Sequence, residues 1–228
     1  MSSPASLVRS SIGKKVLMAV TGIILLLFLV GHMAGNLKAF LGAESFNHYA
    51  EFLRTVGEPV LPRTTLLWTI RLVLLASLLV HIVNAIAVWR MDRRSRRVGY
   101  KRYQSLAMSA ASRSMLWGGV TIFGFVVYHL LHMTFGTLHP DFRHGEPYNN
   151  LVVGFQNPFV VAVYLLTMIP LGLHLYHGFW AAFQSLGSTD PRMNVPRRRL
   201  AAAISLVIVL GFAIVPLAIR LGFIQLGE

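Results

Sequence analysis

The sequence predicts an all-α integral membrane protein with five transmembrane helices, four of which form a bundle. Two observations predict this class. Hydrophobic residues make up 55% of the 228 residues and charged residues only 13%, whereas soluble domains carry about 25% charge. The chain also contains five apolar stretches that reach the ~20 residues needed to cross a ~30 Å hydrocarbon core. A soluble domain is therefore excluded.

The five stretches divide a single membrane domain, residues 1–228, into spans and loops. The first is too long for a cleaved signal peptide, and no small-residue cleavage site follows it. The spans are predicted near Val16–Leu37, Leu66–Trp89, Met115–Phe135, Phe159–Phe183 and Leu200–Phe223.

The basic residues predict the orientation of the spans. The chain has 21 Lys and Arg against 8 Asp and Glu, and the excess lies between apolar runs, which indicates a membrane rather than a nucleic acid. Because cytoplasmic loops are enriched in Lys and Arg, the N-terminus is expected to be cytoplasmic. The alternative use of these residues is a docking surface for a cytoplasmic partner or anionic lipid. Fourteen of them lie in three segments: Arg9, Lys14 and Lys15; Arg90, Arg93, Arg94, Arg96, Arg97, Lys101 and Arg102; and Arg192, Arg197, Arg198 and Arg199.

The loop after span 1 is predicted to contain a short interfacial helix. Within 45–54 and just beyond, apolar side chains recur at helical spacing, at Phe46, Tyr49, Leu53 and Val56. Such a helix lies along the membrane surface with its apolar face buried.

Histidines inside the spans are the strongest functional signal. Titratable residues at this depth are costly and usually face the interior of a bundle, and six of the nine histidines lie there: His32, His81, His129, His132, His174 and His177. Spans 1 and 3 place His32 and His129 in the outer half, whereas spans 2 and 4 place His81 and His174 in the inner half. At 1.5 Å per residue, the two levels are separated by about 10–15 Å.

Two histidines at each of two levels predict a four-helix bundle around two stacked haems, with a fifth helix packed outside. Imidazole suits haem iron, and a chain without cysteine cannot attach haem covalently or bind iron–sulfur clusters through thiolates. The haems would therefore be b-type. Zinc or copper would need three or four ligands converging at one level.

The choice between neighbouring histidines is open at this stage. His129 and His132 share a helix face, and the ten-residue spacing from Gly22 to His32 recurs from Gly119 to His129, which favours His129. His174 is favoured over His177, because a small residue, Gly178, follows four positions later and lets a porphyrin approach the helix. Arg71 and Arg113 either pair with haem propionates or extend to the interface.

Several segments resemble the cytochrome b subunit of succinate dehydrogenase/fumarate reductase, in its single-chain, five-span, two-haem bacterial form. The resemblance covers nearly the whole chain. The segments that carry it are Ser10–Gly22, Gly31–Leu37, Asn47–Leu53, Tyr128–Thr134 and Tyr176–Gly187.

This resemblance implies a bacterial inner-membrane anchor that binds a flavoprotein subunit and an iron–sulfur subunit on the cytoplasmic side. Electrons from succinate would pass through the iron–sulfur subunit and two b haems to a quinone, which in this form is expected to be menaquinone. The implied axial ligands are His81 and His174 for the proximal haem and His32 and His129 for the distal haem. No residue of this chain would bind succinate.

The sequence departs from the family at one position and leaves other choices open. Related fumarate reductases carry a glutamate two residues before the span-4 ligand, where this chain has Gly172, so a carboxylate relay for protons is not expected.

The quinone site is placed either near the inner haem or in the outer loop, where proton-exchanging groups cluster. The alternative functions are the two-haem anchor of another quinone-linked dehydrogenase and a haem-free transporter that uses histidine relays. The outer-loop groups are Glu44, His48, Tyr49 and Glu51.

Overall fold

A computed structural model describes residues 10–95, 110–188 and 190–226, and the regular structure in these ranges is entirely helical. Five helices are long and apolar enough to cross a membrane, which confirms the predicted membrane class. The helices are α1 (Ser11–Leu37), α2 (Gly42–Thr55), α3 (Thr65–Ser95), α4 (Ala110–Met133), α5 (Pro147–Gly154), α6 (Pro158–Ser185) and α7 (Asn194–Arg220), with 3₁₀ turns at Lys38–Leu41 and Pro191–Met193.

The boundaries differ from the predicted spans where polar residues extend a helix or a glycine ends it. Helix α7 begins at Asn194 rather than Leu200, because polar and basic residues at a membrane surface continue the helix without needing an apolar setting. Helix α4 ends at Met133 rather than Phe135, and Gly136 follows in a left-handed conformation with φ of +75°. A helix ends readily where glycine adopts this conformation.

The long helices pack around α1 and α6. Helix α1 packs against α3, α6 and α7, and α6 packs against α4 and α7. The fifth spanning helix, α7, is held to α6 by Ser205, whose hydroxyl donates to the carbonyl of Gly172 at 2.7 Å. Glycine permits this contact, since a Cβ on Gly172 would lie 3.1 Å from the Val209 side chain. Close approach through small residues is a common way for membrane helices to associate.

Two short helices close one end of the bundle, which we call the capped end. Helix α2 confirms the helix predicted in the first loop, whereas α5 was not predicted, because its eight residues show little periodicity. Tyr148 of α5 connects distant segments: its N–H donates to Asn47 Oδ1 at 3.2 Å and its hydroxyl donates to the Gln225 carbonyl at 3.0 Å. Buried apolar residues of α5, α6 and α7 form a core beneath this cap.

The opposite end, which we call the basic end, carries the start of α1, the end of α3 and the start of α7. Exposed arginines lie there, including Arg94, Arg192 and Arg199. Arg197 is buried instead and donates to Ser188, at 2.7 Å to the carbonyl and 2.6 Å to the hydroxyl. Of the basic run after span 2, residues 96–102 lie outside the described ranges.

Candidate functional site

The first predicted pair of histidines meets near the capped end. The ring centroids of His32 on α1 and His129 on α4 lie 5.8 Å apart, at an interplanar angle of 76°. Aromatic rings surround them: Phe28 stacks on His32 at 5.2 Å, Phe125 stacks on His129 at 5.9 Å, and Phe212 of α7 lies 5.7 Å from His32. The pair is therefore held in an apolar, aromatic setting.

The second predicted pair meets nearer the basic end. The rings of His81 on α3 and His174 on α6 have centroids 6.1 Å apart. Nδ1 of His81 faces the Met18 carbonyl at 3.2 Å and the Thr21 hydroxyl at 3.3 Å. With Nδ1–H donated to that carbonyl, Nε2 carries the free lone pair. A donor contact of this kind fixes the tautomer of metal-binding histidines.

Two glycines, one on α1 and one on α4, lie beside the His81–His174 pair, at a different level of the bundle from the histidines of the same two helices. A Cβ on Gly22 would lie 3.4 Å from the His81 ring, and a Cβ on Gly119 would lie 4.0 Å from the His174 ring. His32 and His129 each follow these glycines by ten residues, which corresponds to about 15 Å along a helix. The repeated Gly-to-His spacing thus connects each helix to both levels, because its glycine adjoins one pair and its histidine belongs to the other.

The two remaining span histidines have other neighbours. His132 is fully buried, stacks between Tyr128 at 5.6 Å and His139 at 5.1 Å, and contacts the hydroxyl of Tyr164 through Nδ1 at 3.0 Å. His177 lies 5.9 Å from the ring of Trp180. The structure therefore pairs His32 with His129 and His81 with His174, and it places His132 and His177 beside aromatic residues.

The donor set and ring spacing fit a bis-histidine haem. Two imidazoles on opposite sides of one metal have centroids about 6 Å apart, since each metal–nitrogen bond is about 2 Å and the nitrogen lies about 1 Å from its ring centroid. The two observed separations, 5.8 and 6.1 Å, agree with this value. Within the described ranges, no three His, Asp or Glu side chains converge as a metal cluster. Two imidazoles at each level are a donor set that suits iron in a porphyrin, whereas a structural tetrahedral metal ion takes four ligands.

An open cleft of about 610 Å³ lies at the capped end, between the end of α1 and helix α2. Three of the four polar outer-loop residues predicted from sequence line it, namely Glu44, His48 and Tyr49, together with Lys38. The fourth, Glu51, pairs instead with Arg54 and Arg63. The cleft adjoins the bundle directly, because a Cβ on Gly35 would lie only 2.7 Å from the Tyr49 ring.

Of the two arginines considered as partners of the haem propionates, the structure describes the side chain of Arg71 only. The Arg71 guanidinium lies over the Trp68 ring at 4.9 Å, a cation–π contact near a helix end. The side chain of Arg113 lies outside the described residues.

Sequence analysis missed Tyr164, whose hydroxyl contacts both His129 and His132. Its only signal in the sequence is a hydroxyl-bearing side chain within an apolar span.

Five apolar helices with two pairs of inward-facing histidines define a multi-pass helical membrane protein with a candidate imidazole-lined cofactor site. In comparisons with known proteins, no family model, curated protein or solved structure matches this chain.

Proposed function

We propose that this protein is the membrane-anchor cytochrome b subunit of a succinate:quinone oxidoreductase. The observation that carries the proposal is the pairing of four histidines from four different spanning helices, at two levels and at the ring spacing of bis-histidine iron. The sequence resemblance supplies the particular dehydrogenase.

His32 and His129 would hold one b haem, and His81 and His174 the other. When bound, the haems supply one-electron transfer along the bundle. The protein residues orient the ligands: the Met18 carbonyl accepts the Nδ1–H of His81, and the Tyr164 oxygen lies 3.1 Å from Nδ1 of His129. The phenylalanines around the capped-end pair give it apolar surroundings.

The basic end is the proposed contact surface for the iron–sulfur subunit, with the flavoprotein subunit bound to that subunit. Its exposed arginines belong to the segments that predict a cytoplasmic location. In this proposal, the His81–His174 pair lies on the side where electrons enter. The location is proposed to be a bacterial cell membrane, with the N-terminus in the cytoplasm.

The capped-end cleft is the proposed quinone site, with menaquinone the preferred quinone. Its volume of about 610 Å³ falls within the usual ~300–1,000 Å³ of small-molecule sites. Quinone reduction consumes two electrons and two protons, and Glu44 and His48 are groups that can exchange protons with the surface. The cleft also lies at the end of α1 that carries His32. This cleft supports the outer of the two locations considered from sequence.

The haem content of the purified complex tests this proposal. We expect two non-covalent b haems per chain in a pyridine-haemochrome assay, and a flavoprotein and an iron–sulfur subunit that co-purify with succinate:quinone activity. Two haems with a different dehydrogenase would retain the haem assignment and replace the succinate assignment. A complex without haem would refute the electron-transfer function and favour a histidine relay.

Variants of the cleft test its role in quinone chemistry. Replacing Glu44 with Gln, or His48 with Asn, removes a proton-exchanging group, and we expect quinone reduction to fall by about 10²-fold, the lower range for general acid–base catalysis. Succinate oxidation with a water-soluble acceptor should persist, and the haem spectra should not change.

Glu58→Gln is the matched control for the cleft variants, since Glu58 is an exposed carboxylate of the same loop that does not line the cleft. Wild-type quinone turnover in both Glu44→Gln and His48→Asn would move the proposed site away from this cleft.

A further inference from the structure

The hydroxyl of Tyr164 lies between two histidines of α4. It is 3.1 Å from Nδ1 of His129 and 3.0 Å from Nδ1 of His132. Because a phenol carries one hydrogen and can also accept, it cannot donate to both rings at once. One histidine must donate to the tyrosine oxygen, and the other must accept the tyrosine hydrogen.

The cofactor site decides which ring donates. An imidazole that binds iron through Nε2 carries its hydrogen on Nδ1, so His129 would donate its Nδ1–H to the Tyr164 oxygen. The Tyr164 hydroxyl then donates to Nδ1 of His132, whose hydrogen is on Nε2. That Nε2 is buried and has no hydrogen-bond partner among the described residues.

Packing holds the tyrosine in this position. Tyr164 is only 8% exposed, and its ring packs edge-to-face against Phe125 at 4.9 Å and Phe155 at 4.8 Å. His132 is likewise fixed, because it stacks on His139. The latter is anchored by its own contacts with the Asn150 carbonyl at 2.8 Å and the Asp141 N–H at 3.1 Å.

We propose that Tyr164 is a positioning residue for His129, and that the ordered chain from His129 Nδ1–H to Tyr164 to His132 Nδ1 fixes the tautomer and ring orientation of the capped-end ligand. This inference rests on the proposed function. Hydrogen-bond partners of this kind raise the basicity of a metal-binding imidazole and tune the metal. His132 thus has a defined role as the acceptor for Tyr164, without binding iron.

The test compares Tyr164→Phe with wild type in the intact complex, by potentiometric titration and EPR of the two low-spin haems. Without the Tyr164 oxygen to accept its Nδ1–H, His129 is a weaker electron donor to the iron. We therefore expect the capped-end haem to become easier to reduce. A tenfold change in its reduction equilibrium is the expected scale, about 59 mV for a one-electron couple. Its EPR g-values should also change. The haem at the His81–His174 pair should keep both its potential and its g-values.

Tyr128→Phe is the matched control, since Tyr128 stacks on His132 but makes no hydrogen bond to either ring among the described residues. A second pair of variants does not touch Tyr164. His132→Asn keeps an acceptor for the tyrosine hydroxyl and should resemble wild type, whereas His132→Leu removes it and should shift the capped-end haem in the same direction as Tyr164→Phe.

The possible outcomes separate this inference from the proposed function. A wild-type complex without two haems overturns both. Two wild-type haems, with Tyr164→Phe changing neither haem or changing both equally, overturn the positioning role and leave the proposed function intact.

Discussion

Replacing His129 with alanine is expected to remove one of the two proposed b haems and leave the other in place. His32→Ala should remove the same haem, because the two rings form one pair with centroids 5.8 Å apart. His81→Ala and His174→Ala should each remove the other haem, for the same reason. Replacing a hydrogen-bond partner of a metal ligand already lowers metal affinity or activity by about 10–100-fold. Loss of a ligand itself should therefore lower the rate of quinone reduction by at least about 100-fold. Haem per chain and the two potentiometric midpoints provide the measurement.

His177→Asn is the matched control for this series. His177 lies one turn from His174 on the same helix, but its ring adjoins Trp180 rather than His81, so both haems should remain. The pairing would be wrong if His177→Asn removed a haem while His174→Ala retained both. At the capped end, loss of a haem in His132→Asn with none lost in His129→Ala would reassign that ligand to His132.

Replacing Gly172 with glutamate is expected to destabilise the protein strongly. A Cβ at Gly172 would lie 3.1 Å from Val209 Cγ2 and 3.6 Å from Ser205 Oγ, so the side chain would enter the contact between α6 and α7. Overpacking costs about 1–3 kcal/mol, and a charged residue at the middle of a membrane helix adds about 2.5–3.5 kcal/mol. Thermal unfolding of the detergent-purified complex should show a clearly lower midpoint.

Gly124→Ala is the control for Gly172→Glu, because a Cβ at Gly124 would have no atom within 4 Å and should be tolerated. Gly172→Ala separates the two costs, since it adds the steric clash without a charge and should have an intermediate effect. If Gly172→Glu unfolds at the wild-type temperature, the helices do not pack as described, and a glutamate relay at this position becomes feasible.

The membrane class and the number of helices could be predicted from the sequence because both depend on local properties. A run of about 20 apolar residues is a span regardless of what it packs against, and the five predicted spans correspond to five long helices. The helix α2 was predicted from its own periodicity. Helix α5 was missed, since its burial comes from packing on α2 and α4 and from a core shared with α6 and α7, not from any pattern within its eight residues.

The candidate site was predicted in part. Depth along a span follows from residue number, so the two histidine levels were apparent from positions 32, 81, 129 and 174. The rotation of each helix does not follow from residue number, and the choice between His129 and His132 was therefore open. The outer-loop group was also predicted too broadly: Glu51 shares a helix with Glu44 and His48, but its carboxylate pairs with Arg54 and Arg63 outside the cleft.

The sequence by itself determined the membrane setting, the order of the spans and the two depths at which histidines occur, because hydropathy and helical rise are properties of neighbouring residues. Only the tertiary structure decided that His32 meets His129, that His81 meets His174, and that Tyr164 separates His129 from His132. The partners in these contacts are between 32 and 97 residues apart, and they come together through helix rotation and close glycine contacts between helices.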